Sequence, residues 1–175
     1  MLVCIDPGHG GKDPGAMAQD GTRESFIALQ LALTLRNIAP YDCILTRETD
    51  DVYPTLTKRC LLANTNKADI FLSIHVNAAD NSMAHGIETL CYKTSPLAKL
   101  IQTNLIAATK ARDRSVKVRR DLTVLKKTVM PAVLVETGFI TNKDDLARLK
   151  NLSYQMLICE SLNKSLIKYR QDMNL

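Results

Sequence analysis

Four side chains in this chain suit hydrolytic chemistry: His9, Glu24, His75 and Glu136. His9 sits in Asp6-Pro7-Gly8-His9-Gly10-Gly11, directly after the apolar run Leu2 to Ile5. Glycine reaches backbone angles that other residues avoid, and Pro7 fixes one dihedral and removes a donor. The histidine is therefore expected on a stiff loop at a strand end. A catalytic zinc commonly takes three protein ligands from His and Glu or Asp, leaving a fourth position for water. His9, Glu24 and His75 can supply that set. Zinc lowers the pKa of its bound water toward about 7 and polarises a carbonyl oxygen, which is what amide hydrolysis needs. A carboxylate must then take the water's proton and pass it to the leaving nitrogen. Glu136, following the apolar stretch Ala132 to Val135, is the candidate, because burial would raise its pKa toward a useful range.

Each assignment has a structural rival. The turn alone is equally a glycine-rich loop with an incidental histidine. Glu24 could be a first-turn acid favoured by the helix dipole, His75 a satisfied buried histidine, and Glu136 an ion-pair partner. His85 could replace Glu24 as third ligand. No His-Glu-x-x-His sequence is present, so the common zinc-protease helix is excluded.

The elements that would position these residues alternate along the chain. Leu2 to Ile5, Cys43 to Thr46, Ile70 to Val76, Ile87 to Tyr92 and Ala132 to Glu136 read as strands. Ile27, Leu31, Leu35 and Ile38 mark one face of a helix that Pro40 ends. Further helices are expected over Thr55 to Asn66, through Leu97, Ile101, Leu105 and Ala108, from about Lys143, and through Leu152, Met156, Cys159, Leu162 and Leu166. Strands alternating with helices predict an α/β fold, a single domain over residues 1–175 with a mostly parallel twisted sheet flanked by helices on both faces. In such sheets the functional crevice lies beyond the carboxyl ends of the strands. His9, His75 and Glu136 all fall there, although 66 and 61 positions separate them.

Composition narrows the class. At 175 residues and 46% hydrophobic, the chain has enough material for one core. Cys4, Cys43, Cys60, Cys91 and Cys159 are odd in number and widely spaced, which predicts buried free thiols rather than a disulfide framework. No segment approaches the roughly 18 apolar residues of a membrane span, and the amino terminus lacks the pattern of a signal peptide. Synthesis in the cytoplasm, with action after release, is the expectation. The net charge is +5, and residues 110–127 hold eight basic side chains against two acidic ones. That segment reads either as a patch for an anionic polymer or as a solvated helix end and loop. It contains no aromatic side chain for base stacking, and nucleic acid is not expected as a partner.

Six ordered blocks carry a resemblance: Asp6 to Gly15; Glu24; Thr46-Arg47 with Asp50, Arg59 and Ala63-Asn64; Ser73 to Ala78; Gly86-Ile87-Glu88-Thr89; and Pro131 to Asn142. Together they resemble the zinc-dependent N-acetylmuramoyl-L-alanine amidases of the amidase_3 family, from the first strand to the last helix. The resemblance implies hydrolysis of the amide between N-acetylmuramic acid and the L-alanine of the peptidoglycan stem. It also implies zinc held at the positions of His9, Glu24 and His75, with Glu136 as catalytic glutamate. Arg47, Arg59, Asn77 and Glu88 match recurrent positions of scaffold or substrate groove, and Asn77 and Glu88 are taken as substrate-binding.

Ala39-Pro40 and Arg114-Ser115 stand where the family often has glycine, so the adjoining loops are expected to differ. No long insertion separates Gly86 from Glu136, so an autoinhibitory helix is not expected. The implied molecule is a monomer acting on peptidoglycan, with anionic wall polymers as possible further partners. It would be a phage endolysin, an autolysin freed on mother-cell lysis, or a catalytic piece of a longer chain. The competing activities are an inactive peptidoglycan-binding module and a zinc peptidase cutting within the stem.

Overall fold

The computed structural model describes residues 1–173. In chain order the elements are β1 (Leu2–Pro7), α1 (Glu24–Ile38), β2 (Asp42–Leu45), α2 (Leu56–Thr65), β3 (Ile70–Asn77) and β4 (Ile87–Cys91). There follow α3 (Pro96–Thr109), β5 (Asp113–Val118), α4 (Thr123–Lys126), β6 (Ala132–Phe139), α5 (Lys143–Leu149) and α6 (Leu152–Met173). The strands form one sheet in the order β2-β1-β3-β6-β4-β5. Its pairings are parallel except that of β4 with β6. The expected mostly parallel α/β sheet is therefore present, and no helix among the described residues is long and apolar enough to cross a membrane.

Alternate residues of each strand enter two separate apolar layers. Val3, Ile5, Leu72, Ile74, Val133 and Val135 pack with α1, α3 and α6. Cys4, Phe71, Leu90 and Leu134 pack with the short helices α2 and α4 through Cys60, Ala63, Val124 and Leu125. Coverage of both faces explains why these strands are apolar without alternation. Each fully buried Leu, Ile or Phe contributes roughly 1.5–3 kcal/mol.

The second face matters most for function. Side chains alternate along a strand, so Asp6 follows Cys4 on that face, Ser73 and His75 follow Phe71, and Glu136 follows Leu134, while Glu88 precedes Leu90. The apolar layer thus gives way to a polar one at a single edge of the sheet. β4 and β5 are parallel to each other but run opposite to the other four strands, and reach that edge at their beginnings rather than their ends.

Two expectations change. The basic segment is not a helix end and loop, because it contains β5 at the edge of the sheet. β6 does not stop at Glu136 but runs on to Phe139. There, Asp145 at the start of α5 accepts hydrogen bonds from the backbone N–H groups of both Phe139 and Gly86, at 2.9 and 2.8 Å. One carboxylate so fastens the end of β6 beside the start of β4.

Candidate metal centre

The His9 turn is stiffened by two buried arginines. Arg59 donates through Nη1 to the Asp6 carboxylate and the Pro7 carbonyl, at 2.7 and 2.8 Å, and through Nη2 to the His9 carbonyl at 2.7 Å. Arg47 donates to the carbonyls of Pro7, Gly8 and Ser25. Asp6 also accepts from Thr46 and Ser73, so this buried carboxylate is fully engaged. The restraint is needed, since His9 has φ 59°, in the left-handed region. A non-glycine residue held there costs on the order of 1–3 kcal/mol and persists when its surroundings over-determine it. Gly8 answers a different demand: a Cβ there would lie 2.4 Å from the His75 ring. The absent side chain lets the two histidines approach, with ring centroids 4.9 Å apart in an edge-on arrangement.

Glu24, the first residue of α1, meets both rings. Its Oε1 lies 2.9 Å from His75 Nδ1 and 3.2 Å from His9 Nε2, and also accepts from the Val76 N–H. Its Oε2 accepts from the Ala16 N–H at 3.0 Å. The ligand atoms of His9, Glu24 and His75 lie within 4.8 Å of one another. His85 is not part of this group and instead bonds the Met83 carbonyl. A residue that the spacing did not assign completes the set. Asp13 Oδ2 lies 2.9 Å from His9 Nδ1, while its Oδ1 accepts from the Gly15 N–H. An Nδ1–H held by a carboxylate leaves Nε2 as the lone-pair donor, the outer-shell arrangement of metal-binding histidines.

Without a cation, protons hold this cluster together. Burial opposes protonation of His9, yet Glu24 and Asp13 outweigh it and push its pKa up to about 9. His75 is likewise raised against its burial, by Glu24 and Glu136. Burial alone would raise Glu24, but the two histidines hold its carboxyl well below the usual range. Two imidazoles and a carboxylate fit a divalent cation of the zinc type, which would displace these protons on binding.

Glu136 stands beside the cluster. Its Cα is opposite His75 across β3–β6 and opposite Glu88 across β4–β6. Glu136 Oε2 is shielded from solvent and lacks a hydrogen-bond partner among the described residues. Burial foremost, with Glu24 and Glu88 adding to it against His75, raises this carboxyl to about 7. Glu88 contrasts with it, since it accepts from Asn77 at 3.2 Å, Arg114 at 2.9 Å and Lys117 at 2.6 Å. Asn77 and Glu88 therefore face the site already bonded to each other. Of the basic residues in 110–127, Arg114 and Lys117 serve Glu88 and Arg119 pairs with Asp121.

Residues 3–168 match the N-acetylmuramoyl-L-alanine amidase family of the amidase_3 type. The chain belongs to this family. It is 38% identical over 177 residues to the N-acetylmuramoyl-L-alanine amidase LytC of Bacillus subtilis, covering 95% of this chain and 35% of that protein. It is 40% identical over 167 residues to the endolysin of Bacillus phage SPP1, covering 87% and 60%. The chain thus spans about a third of the first relative's length and three fifths of the second's. Among solved structures it superimposes on the N-acetylmuramoyl-L-alanine amidase of Clostridium difficile 630 with a TM-score of 0.91 and 34% identity, covering 97% of this chain and 96% of that one.

Proposed function

We propose that this domain is a zinc-dependent N-acetylmuramoyl-L-alanine amidase that acts on the cell wall. It hydrolyses the amide between the lactyl group of N-acetylmuramic acid and the L-alanine of the peptidoglycan stem. The observation that carries the reading is the juxtaposition of a His9–Glu24–His75 ligand set with an unpartnered, raised carboxylate at Glu136. An inactive wall-binding module would have no use for that arrangement.

His9, Glu24 and His75 would hold the ion, and Asp13 would orient His9. When bound, zinc supplies Lewis-acid activation of water and of the scissile carbonyl. Glu136 takes the water's proton as its oxygen adds to the carbonyl carbon, and returns it to the alanine nitrogen as the carbon–nitrogen bond breaks. The products are a lactyl carboxylate and a free alanine amine. Because Glu136 Oε2 has no hydrogen-bond partner among the described residues, its carboxylate can face both proton positions in turn. Glu88, held by two cations and an amide, is not available for that task.

Mass spectrometry of digested peptidoglycan tests the proposal. Free L-alanine amino termini with intact glycan are expected; new termini deeper in the stem would replace the amidase with a stem peptidase. Chelation should stop the reaction and added zinc restore it. Glu136→Ala should lower turnover by about 10²–10⁴-fold with one equivalent of zinc retained.

A further inference from the structure

β5 is joined to β4 through a bulge. Ile87 pairs with Asp113 and Thr89 with Val116, so Glu88 alone stands against Arg114 and Ser115. Ser115 absorbs the extra residue with φ 68°, and its N–H is held by Asp113 Oδ1 at 2.7 Å. In a regular strand, residues three apart point to opposite faces. The bulge cancels that and turns Arg114 and Lys117 to the same carboxylate.

Lys117 alone would pair Glu88, so Arg114 is surplus to that need. It uses Nε for Glu88, while Nη1 and Nη2 make no hydrogen bond to protein among the described residues. The side chain is 25% exposed, and the guanidinium lies 4.7 Å from the centre of the Phe139 ring. A planar fork is thereby fixed from behind by a carboxylate and from below by an aromatic face, with its outer donors open. That is a site for a carboxylate, which a guanidinium binds in bidentate fashion.

Geometry selects which carboxylate. Strands lie about 4.8 Å apart, so Glu88 is two strands, roughly 10 Å, from His75. An extended peptide advances about 3.4 Å per residue, so the fork lies about two to three residues along the stem from the metal set, and the second residue is the first there whose α-carboxylate is free. The sugar side of the scissile amide has no carboxylate before cleavage; the stem side does. We infer that Arg114, supported by Glu88, Lys117 and Phe139, is a subsite for the free α-carboxylate of the second stem residue, and that it disfavours stems in which this group is amidated. The inference rests on the amidase reading for the identity of the ligand.

The test uses the zinc-loaded full chain carrying Glu136→Gln, so that binding is read without turnover, with N-acetylmuramoyl-L-alanyl-D-glutamate and its isoglutamine amide as probes. The acid should bind roughly tenfold more tightly than the amide. Adding Arg114→Gln should abolish the difference, and Arg114→Lys, which keeps the charge but not the fork, should retain part of it. Equal affinity for the two probes, or a preference that survives Arg114→Gln, would overturn the subsite. The parent chain, assayed on the same probes, separates the two readings. A preference with no cleavage of either compound removes the amidase; cleavage of both with equal binding removes only the subsite.

Discussion

Arginines flank the metal set on both sides, and they are used in opposite ways. On the β1 side, Arg47 and Arg59 are buried and direct their donors to Asp6 and to backbone carbonyls of the His9 turn. On the β4–β5 side, Arg114 is partly exposed and commits a single nitrogen to Glu88. The first pair makes a loop rigid; the second residue presents a rigid cation. Degree of donor saturation, rather than charge, separates a brace from a recognition group.

The largest effect should follow from breaking the brace. Arg59→Met would leave Asp6, 1% exposed, without its cation, at a cost of about 3–5 kcal/mol in denaturant unfolding. A loss below about 1 kcal/mol would mean that the two sides do not differ. The strip between them gives the next effect. In zinc-free protein the Glu136 carboxyl is raised from 4.5 to about 7. Below the lower value both folded and unfolded chains carry it protonated, and the native state is not penalised. As pH rises through the window the unfolded chain ionises first, so native stability falls, levelling off above about 7. Glu136→Gln should therefore match the parent near pH 4 and exceed it at pH 8, by up to about 3 kcal/mol. Equal curves at both pH values would show that the carboxylate has a partner after all. The smallest effect belongs to the open side: Arg114→Gln should change unfolding stability by less than about 1 kcal/mol, because Lys117 keeps Glu88 paired. A larger loss would make Arg114 a brace like the others.

The sequence made one half of this contrast far easier to see than the other. His9, His75 and Glu136 follow apolar runs whose ends must share an edge in a parallel sheet, and Glu24 opens a helix with clear periodicity, so their convergence could be reasoned out. β5 could not be found that way. Its Asp-Arg-Ser-Val-Lys-Val carries three charges, and as an edge strand it buries little, so charge masked the pattern. A bulge further disrupts the alternation by which a strand is recognised. The roles of Asp13 and Asp145 depend on contacts with backbone and ring atoms that residue type does not announce. The departure at Arg114-Ser115 was visible as a missing glycine, but its meaning needed the left-handed φ of Ser115 and the register beside it.

That irregular edge has a bearing on solubility. A straight outer strand offers its free backbone groups to any extended chain nearby, which is how sheets extend into aggregates. Here the outer strand is kinked at Ser115 and carries Arg114 and Lys117 turned toward Glu88. An approaching strand would meet a broken register there, so the device that aims Arg114 also guards this edge of the sheet against further pairing.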